Sequence, residues 1–104
     1  MTYDIGERVQ INITFVNDQG VEVFLSSLSY YLEISGLLGV VFIETKHWAG
    51  QGPVRVEPFS RRFVGSYTWD QKDMNRSQVP GGIYTIRGCL LESTTCGTTT
   101  IEIR

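Results

Sequence analysis

Apolar and polar residues alternate along most of this chain. Val9, Ile11, Ile13 and Phe15 are separated by Gln10, Asn12 and Thr14, the period-two signature of a strand with one wet face. The polar cluster NDQG at 17–20 predicts a turn, and Val21, Val23 and Leu25 alternate after it. Tyr30, Leu32 and Ile34 share one face of the next segment, with Tyr31 and Glu33 on the other. Gly36 and Gly39 bracket a further turn before VVFIETK, and HWAGQGP (47–53) is loop by its Gly and Pro content. VRV at 54–56 is a short strand candidate. From Phe63 the alternate positions Phe63, Gly65, Tyr67 and Trp69 predict an inward face. No window of ten residues carries a 3.6-residue period, so no long helix is expected.

Residue choice agrees. Val, Ile and Thr supply 29 of 104 positions, and Ala appears once, at Ala49. β-Branched side chains lose rotamers in a helix and fit a pleated surface. Seven or eight short strands in one domain spanning 1–104 predict an all-β antiparallel sandwich. The net charge of −2 supplies no strong field toward nucleic acid or anionic lipid. No apolar run is long enough for a membrane-spanning helix. TYDIGE after Met1 has neither a basic start nor an apolar core, so it does not read as a signal peptide. The chain is therefore expected to be cytosolic, or a mature or excised part of something exported.

The last two strands can be registered from their cysteines. If Cys89 lies opposite Cys96, then Tyr84 faces Ile101, Ile86 faces Thr99 and Gly88 faces Gly97 on a mostly apolar side. Ile83 with Glu102, Thr85 with Thr100 and Arg87 with Thr98 make the other side. A slip of one residue would flip every side chain, so the agreement is informative. Directly opposed residues lie about 4.5–5.5 Å apart between Cα atoms, within disulfide reach. The alternative is two free thiols. A disulfide favours an oxidising compartment or a hyperthermophile's interior, and the sequons at Asn12 (NIT) and Asn75 (NRS) favour export.

Candidate chemistry is sparse. His47 is the single histidine and sits between a strand and a Gly-rich loop, with no serine signature beside it. Two cysteines and one histidine are too few for the usual zinc sets. Asp70, Asp73 and Asn75 lack the every-second-residue spacing of an EF-hand and read as turn-forming acceptors. No cofactor or metal is expected, and no catalytic residue is assigned. Arg55, Arg61 and Arg62 lie near Trp48 and Phe59 in sequence, the residue types that anchor interfaces.

One segment carries a longer pattern. Trp69-Asp70, Asp73, Val79-Pro80, Gly82, Tyr84 and Gly88 give W-D-x-x-D-x(5)-V-P-x-G-x-Y-x-x-x-G. This resembles the C-terminal part of BsuPI-type intracellular proteinase inhibitor domains, and is similar to the Ig-like domain of flagellar hook-capping proteins. The match covers about 20 residues, with Arg76 in place of the usual turn glycine and Gly81 in place of a common second proline. The resemblance implies an Ig-like fold. On physical grounds Trp69 fills the core at a strand end, Pro80 and Gly82 shape a sheet-to-sheet corner, and Tyr84 points inward with its hydroxyl seeking a backbone partner.

These readings lead to a non-catalytic Ig-like module of an extracellular or cell-surface assembly. Its expected partners are copies of itself or other envelope proteins, joined by strand addition. ERVQINITFVN is the expected segment for exchange. The alternative, implied by the resemblance, is a proteinase inhibitor acting through KHWAGQGPVR (46–55), with His47, Trp48, Gln51 and Arg55 as the binding residues.

Overall fold

The computed structural model describes residues 1–91 and 95–104. The described residues contain no helix and nine strands: β1 (Thr2–Tyr3), β2 (Val9–Asn17), β3 (Val23–Leu25), β4 (Tyr30–Gly36), β5 (Gly39–Lys46), β6 (Val54–Val56), β7 (Ser60–Trp69), β8 (Gly82–Leu90) and β9 (Cys96–Ile103). Five form one sheet in the order β1-β9-β8-β4-β5, while β2 pairs with β7 and β3 with β6. The pairs are antiparallel except β1 with β9, which is parallel. The count exceeds the expected seven or eight because Thr2–Tyr3 joins the edge of the large sheet. Two residues are too few to show a period in sequence.

The β8–β9 register is the one the cysteines imply: Cys89 opposes Cys96, Tyr84 opposes Ile101 and Gly88 opposes Gly97. A disulfide joins the two cysteines across Cα atoms 4.1 Å apart. Elsewhere one expected face is interrupted. Ile13 of β2 faces Gly65, yet Thr14 faces Phe63, which leaves Val64 as the extra residue of a bulge. The phase of β7 therefore reverses. Phe63 is 56% exposed, and Val64 packs against the interior in its place.

Two apolar clusters form. The larger one packs Val9, Ile11 and Trp69 of the β2–β7 ribbon against Leu32, Ile34, Phe42, Tyr84, Ile86, Ile101 and Ile103 of the five-stranded sheet. The smaller gathers Leu25, Leu28, Val54, Val56 and Leu90, with Phe15, Trp48 and Val64 partly buried against it. Alternation accounts for both, since every second residue of β2 and β4 faces the other layer.

Candidate interaction site

The segment from Trp69 to Tyr84 closes one end of the molecule. Trp69 is fully buried, its indole N–H donating to the Lys72 carbonyl at 3.0 Å. Its ring lies edge-on to Tyr84, centroids 6.0 Å apart, and tilted to Phe42 at 6.3 Å. The Tyr84 hydroxyl donates to the Pro80 carbonyl at 2.6 Å, four residues upstream. A side chain at Gly36 would come within 2.8 Å of the Tyr84 ring, so only glycine lets that ring lie flat there. Gly82 at φ +153° starts β8. Asp70 accepts from the Lys72 N–H at 3.1 Å and from Arg76 at 2.7 Å. Burial pushes its carboxyl up, but the Arg76 and Lys72 interactions outweigh that and hold it below its ordinary value. Asp73 accepts from the N–H groups of Asn75 and Ser77. Both carboxylates thus serve as turn acceptors, and no cluster of three or more His, Cys, Asp or Glu able to hold a metal occurs among the described residues.

Gln71, to which the sequence pattern gave no role, is the polar centre of this end. It is fully buried at φ +63°. Its amide N–H groups donate to the carbonyls of Asp4 (2.8 Å) and Glu7 (2.7 Å), and its oxygen accepts from the Gly6 N–H (3.0 Å) and the Gln78 amide (2.9 Å). One side chain therefore pins the loop after β1 to the corner.

The other end is open. The inward face of β9 continues from Ile103 and Ile101 to Thr99 and Gly97, but the last two are exposed. Across from them Ile13, Phe15 and Val64 are only partly buried. Between lies a cleft of about 390 Å³, floored by Leu32, Ile86, Gly88 and Leu90 and walled by Ile11–Val16 of β2 and Thr95–Thr99. Among the described residues, none that lines it is charged. Among the described residues β2 has a partner only in β7, and β9 beyond Ile101 toward Cys96 has a partner only in β8. Each therefore turns the N–H and C=O of alternate residues to solvent along the cleft.

These edges lack the usual guards. Val9–Asn17 and Cys96–Thr100 contain no Lys, Arg, Asp, Glu or Pro. By contrast, the outer edge of β5 is covered. The Met74 N–H donates to the Val41 carbonyl at 3.1 Å, and the Met74 sulfur accepts from the Ile43 N–H. The segment expected to exchange is itself held by β7 over nine residues, so what it offers is its free edge.

The remaining sequence candidates do not converge. His47 and Gln51 are exposed, whereas Trp48 turns partly into the smaller cluster, its backbone N–H donating to the Ser29 hydroxyl at 2.9 Å. Arg55 lies in β6 opposite Phe24, paired with Glu22 and 3.8 Å from Glu57. Asn12 is exposed on β2 beside the cleft, and Asn75 is exposed in the corner loop. The signal for the cleft was present in sequence: a nine-residue alternating strand without charge, and two glycines opposed across the cysteine-registered hairpin. No family model matches the chain, and no curated protein is significantly similar to it.

Proposed function

We propose that this chain is a non-catalytic Ig-like β-sandwich module that joins other polypeptides, including copies of itself, by strand addition in an extracellular or cell-surface assembly. The observation that carries the reading is the pair of bare, uncharged strand edges, β2 and β9, facing each other across an apolar cleft. Unpaired backbone groups on a long, unguarded edge are a template for another strand. The Cys89–Cys96 disulfide supports an oxidising compartment. Among the described residues no helix is long and apolar enough to cross a membrane.

The test combines light scattering at rising protein concentration with panning of a display library of random nine-residue peptides. Wild type is expected to associate or to enrich extended peptides. Asn12→Lys with Thr98→Lys, which places a charge on each edge, is expected to do neither. A wild-type protein that stays monomeric and enriches no peptide would overturn the reading.

A further inference from the structure

The edges say that something extended binds; the cleft between them says what its side chains must be. Across the β8–β9 pairs the inward face runs from Tyr84 and Ile101 through Ile86 and Thr99 to Gly88 and Gly97. Side-chain bulk falls to nothing at the last pair. Among the described residues, a Cβ placed on Gly97 would meet no heavy atom within 4 Å, and one on Gly88 would meet only Ile13, at 3.4 Å. The inward position at Gly97 is therefore vacant, while Ile13 already packs over Gly88, and the opposing wall offers the half-buried Ile13 and Phe15. Apolar surface left at such a gap gains by being covered.

We infer that the cleft takes an extended, uncharged segment of a different protein and seats one large apolar side chain of that segment over Gly97, against Ile13 and Phe15. This rests on the strand-addition reading and specifies its ligand. The segment is extended because the walls present strand edges on both sides. Its inward side chains are uncharged because an ionised group would leave water for a lining that, among the described residues, has no counter-charge. The walls Ile11–Val16 and Thr95–Thr99 set its length at about six residues, three of them facing inward.

Two connecting stretches of this chain are already engaged in its own packing, and the segment is assigned to a different protein. Residues 4–7 are held by Gln71 and by the Arg104 carbonyl, and residues 70–79 by their own turns and by Val41. Edge-to-edge pairing of two intact copies would extend a sheet but leave the hollow unfilled, since β2 stays bound to β7.

The probe is the capped synthetic peptide KTVSFTVSK, whose Val, Phe and Val share one face, followed by amide chemical shifts and fluorescence anisotropy. Two variants carry Ala or Glu in place of the central Phe. The Phe peptide is expected to bind and to shift the amides of Ile11–Val16 and Cys96–Thr99. The Ala peptide is expected to bind at least tenfold more weakly, and the Glu peptide not at all. Gly97→Val fills the hollow from the protein's side at a strand position that accepts a β-branched residue. It is expected to cost at least tenfold in affinity for the Phe peptide with the melting temperature kept or raised.

Equal binding of the Phe and Ala peptides, or full binding by Gly97→Val, would overturn this inference while leaving the strand-addition reading standing. Failure of all three peptides would overturn it too. Dimerisation that is lost in Gly97→Val, with no peptide bound, would put a second copy in the cleft and likewise overturn it.

Discussion

The two ends of this molecule are built from the same strands to opposite specifications. At the Trp69 end the rings of Trp69, Tyr84 and Phe42 interlock, and the buried polar atoms of Gln71 are matched with protein partners. At the other end the inward positions Thr99 and Gly97 are exposed, Ile13 and Phe15 are half-covered, and among the described residues two strand edges stand unpaired. The difference teaches how stability and binding are divided. A layered β-fold must bury one face of each sheet; here one end does so fully, and the other leaves that burial to a partner.

The sharpest way to break the comparison is to truncate one aromatic at each end. Trp69→Ala removes a fully buried indole and leaves a cavity among Phe42, Tyr84 and Val79, so about 3–5 kcal/mol of unfolding free energy should be lost. Phe15→Ala removes a ring that is already partly wet and should cost about 1–2 kcal/mol. Urea denaturation followed by circular dichroism measures both. Equal costs would mean that the cleft end is as fully packed as the corner, and that the division proposed here does not exist.

Gln71→Ala is next in size. It strips four hydrogen bonds from one buried side chain and leaves the Asp4 and Glu7 carbonyls without that partner, at a cost of about 2–4 kcal/mol. Amide exchange should quicken first in residues 4–7, the loop this residue holds. An unchanged exchange pattern there would show that the loop is anchored by something other than Gln71.

At the open end the largest stabilising element is covalent. The Cys89–Cys96 loop is short, and replacing both cysteines with Ala should cost about 2–3 kcal/mol in the chain-entropy account. Because β9 lines the cleft, the same change should weaken binding of an inserted segment, whereas Gln71→Ala should leave binding unchanged. Calorimetry on the two variants separates these effects. Weakened binding in both would show that the ends are not independent.

Much of this was readable from residue order, and what was not has physical reasons. Alternation located β2 and β4 because successive residues differ in burial, and the Gly36–Gly39 turn marked the start of β5. The β8–β9 register followed from two cysteines and the apolar matching they imposed. Phe63 was assigned to the wrong face because a bulge adds a residue to one strand without altering composition, and the local pattern continues to look regular. Gln71 was passed over because a buried glutamine looks like any surface glutamine until its partners, more than 60 residues away, are in place. The cleft was missed for a related reason. It depends on which edges remain unpaired, a property of sheet order, so the uncharged strand and the opposed glycines that signal it gain meaning only once that order is known.

The smallest predicted effect tests the polar half of the corner. Tyr84→Phe keeps the ring and removes the hydroxyl that donates to Pro80, leaving that carbonyl short of a partner at a cost of about 1 kcal/mol. The sign with pH follows from the same environment. Burial raises the pKa of Tyr84 above its ordinary value, as it does for Tyr30 and Tyr67, where Glu44 adds to the effect. The neutral phenol is therefore favoured in the folded state. Its contribution is fully present below the unfolded tyrosine value and is lost as pH rises through the folded one. Wild type should lose stability at strongly alkaline pH, and Tyr84→Phe should lose less of its own, so the two curves converge as pH rises. Parallel curves from neutral to alkaline pH would show that the Tyr84 hydroxyl is as well solvated in the folded chain as in the unfolded one, and that this end is less closed than its packing indicates.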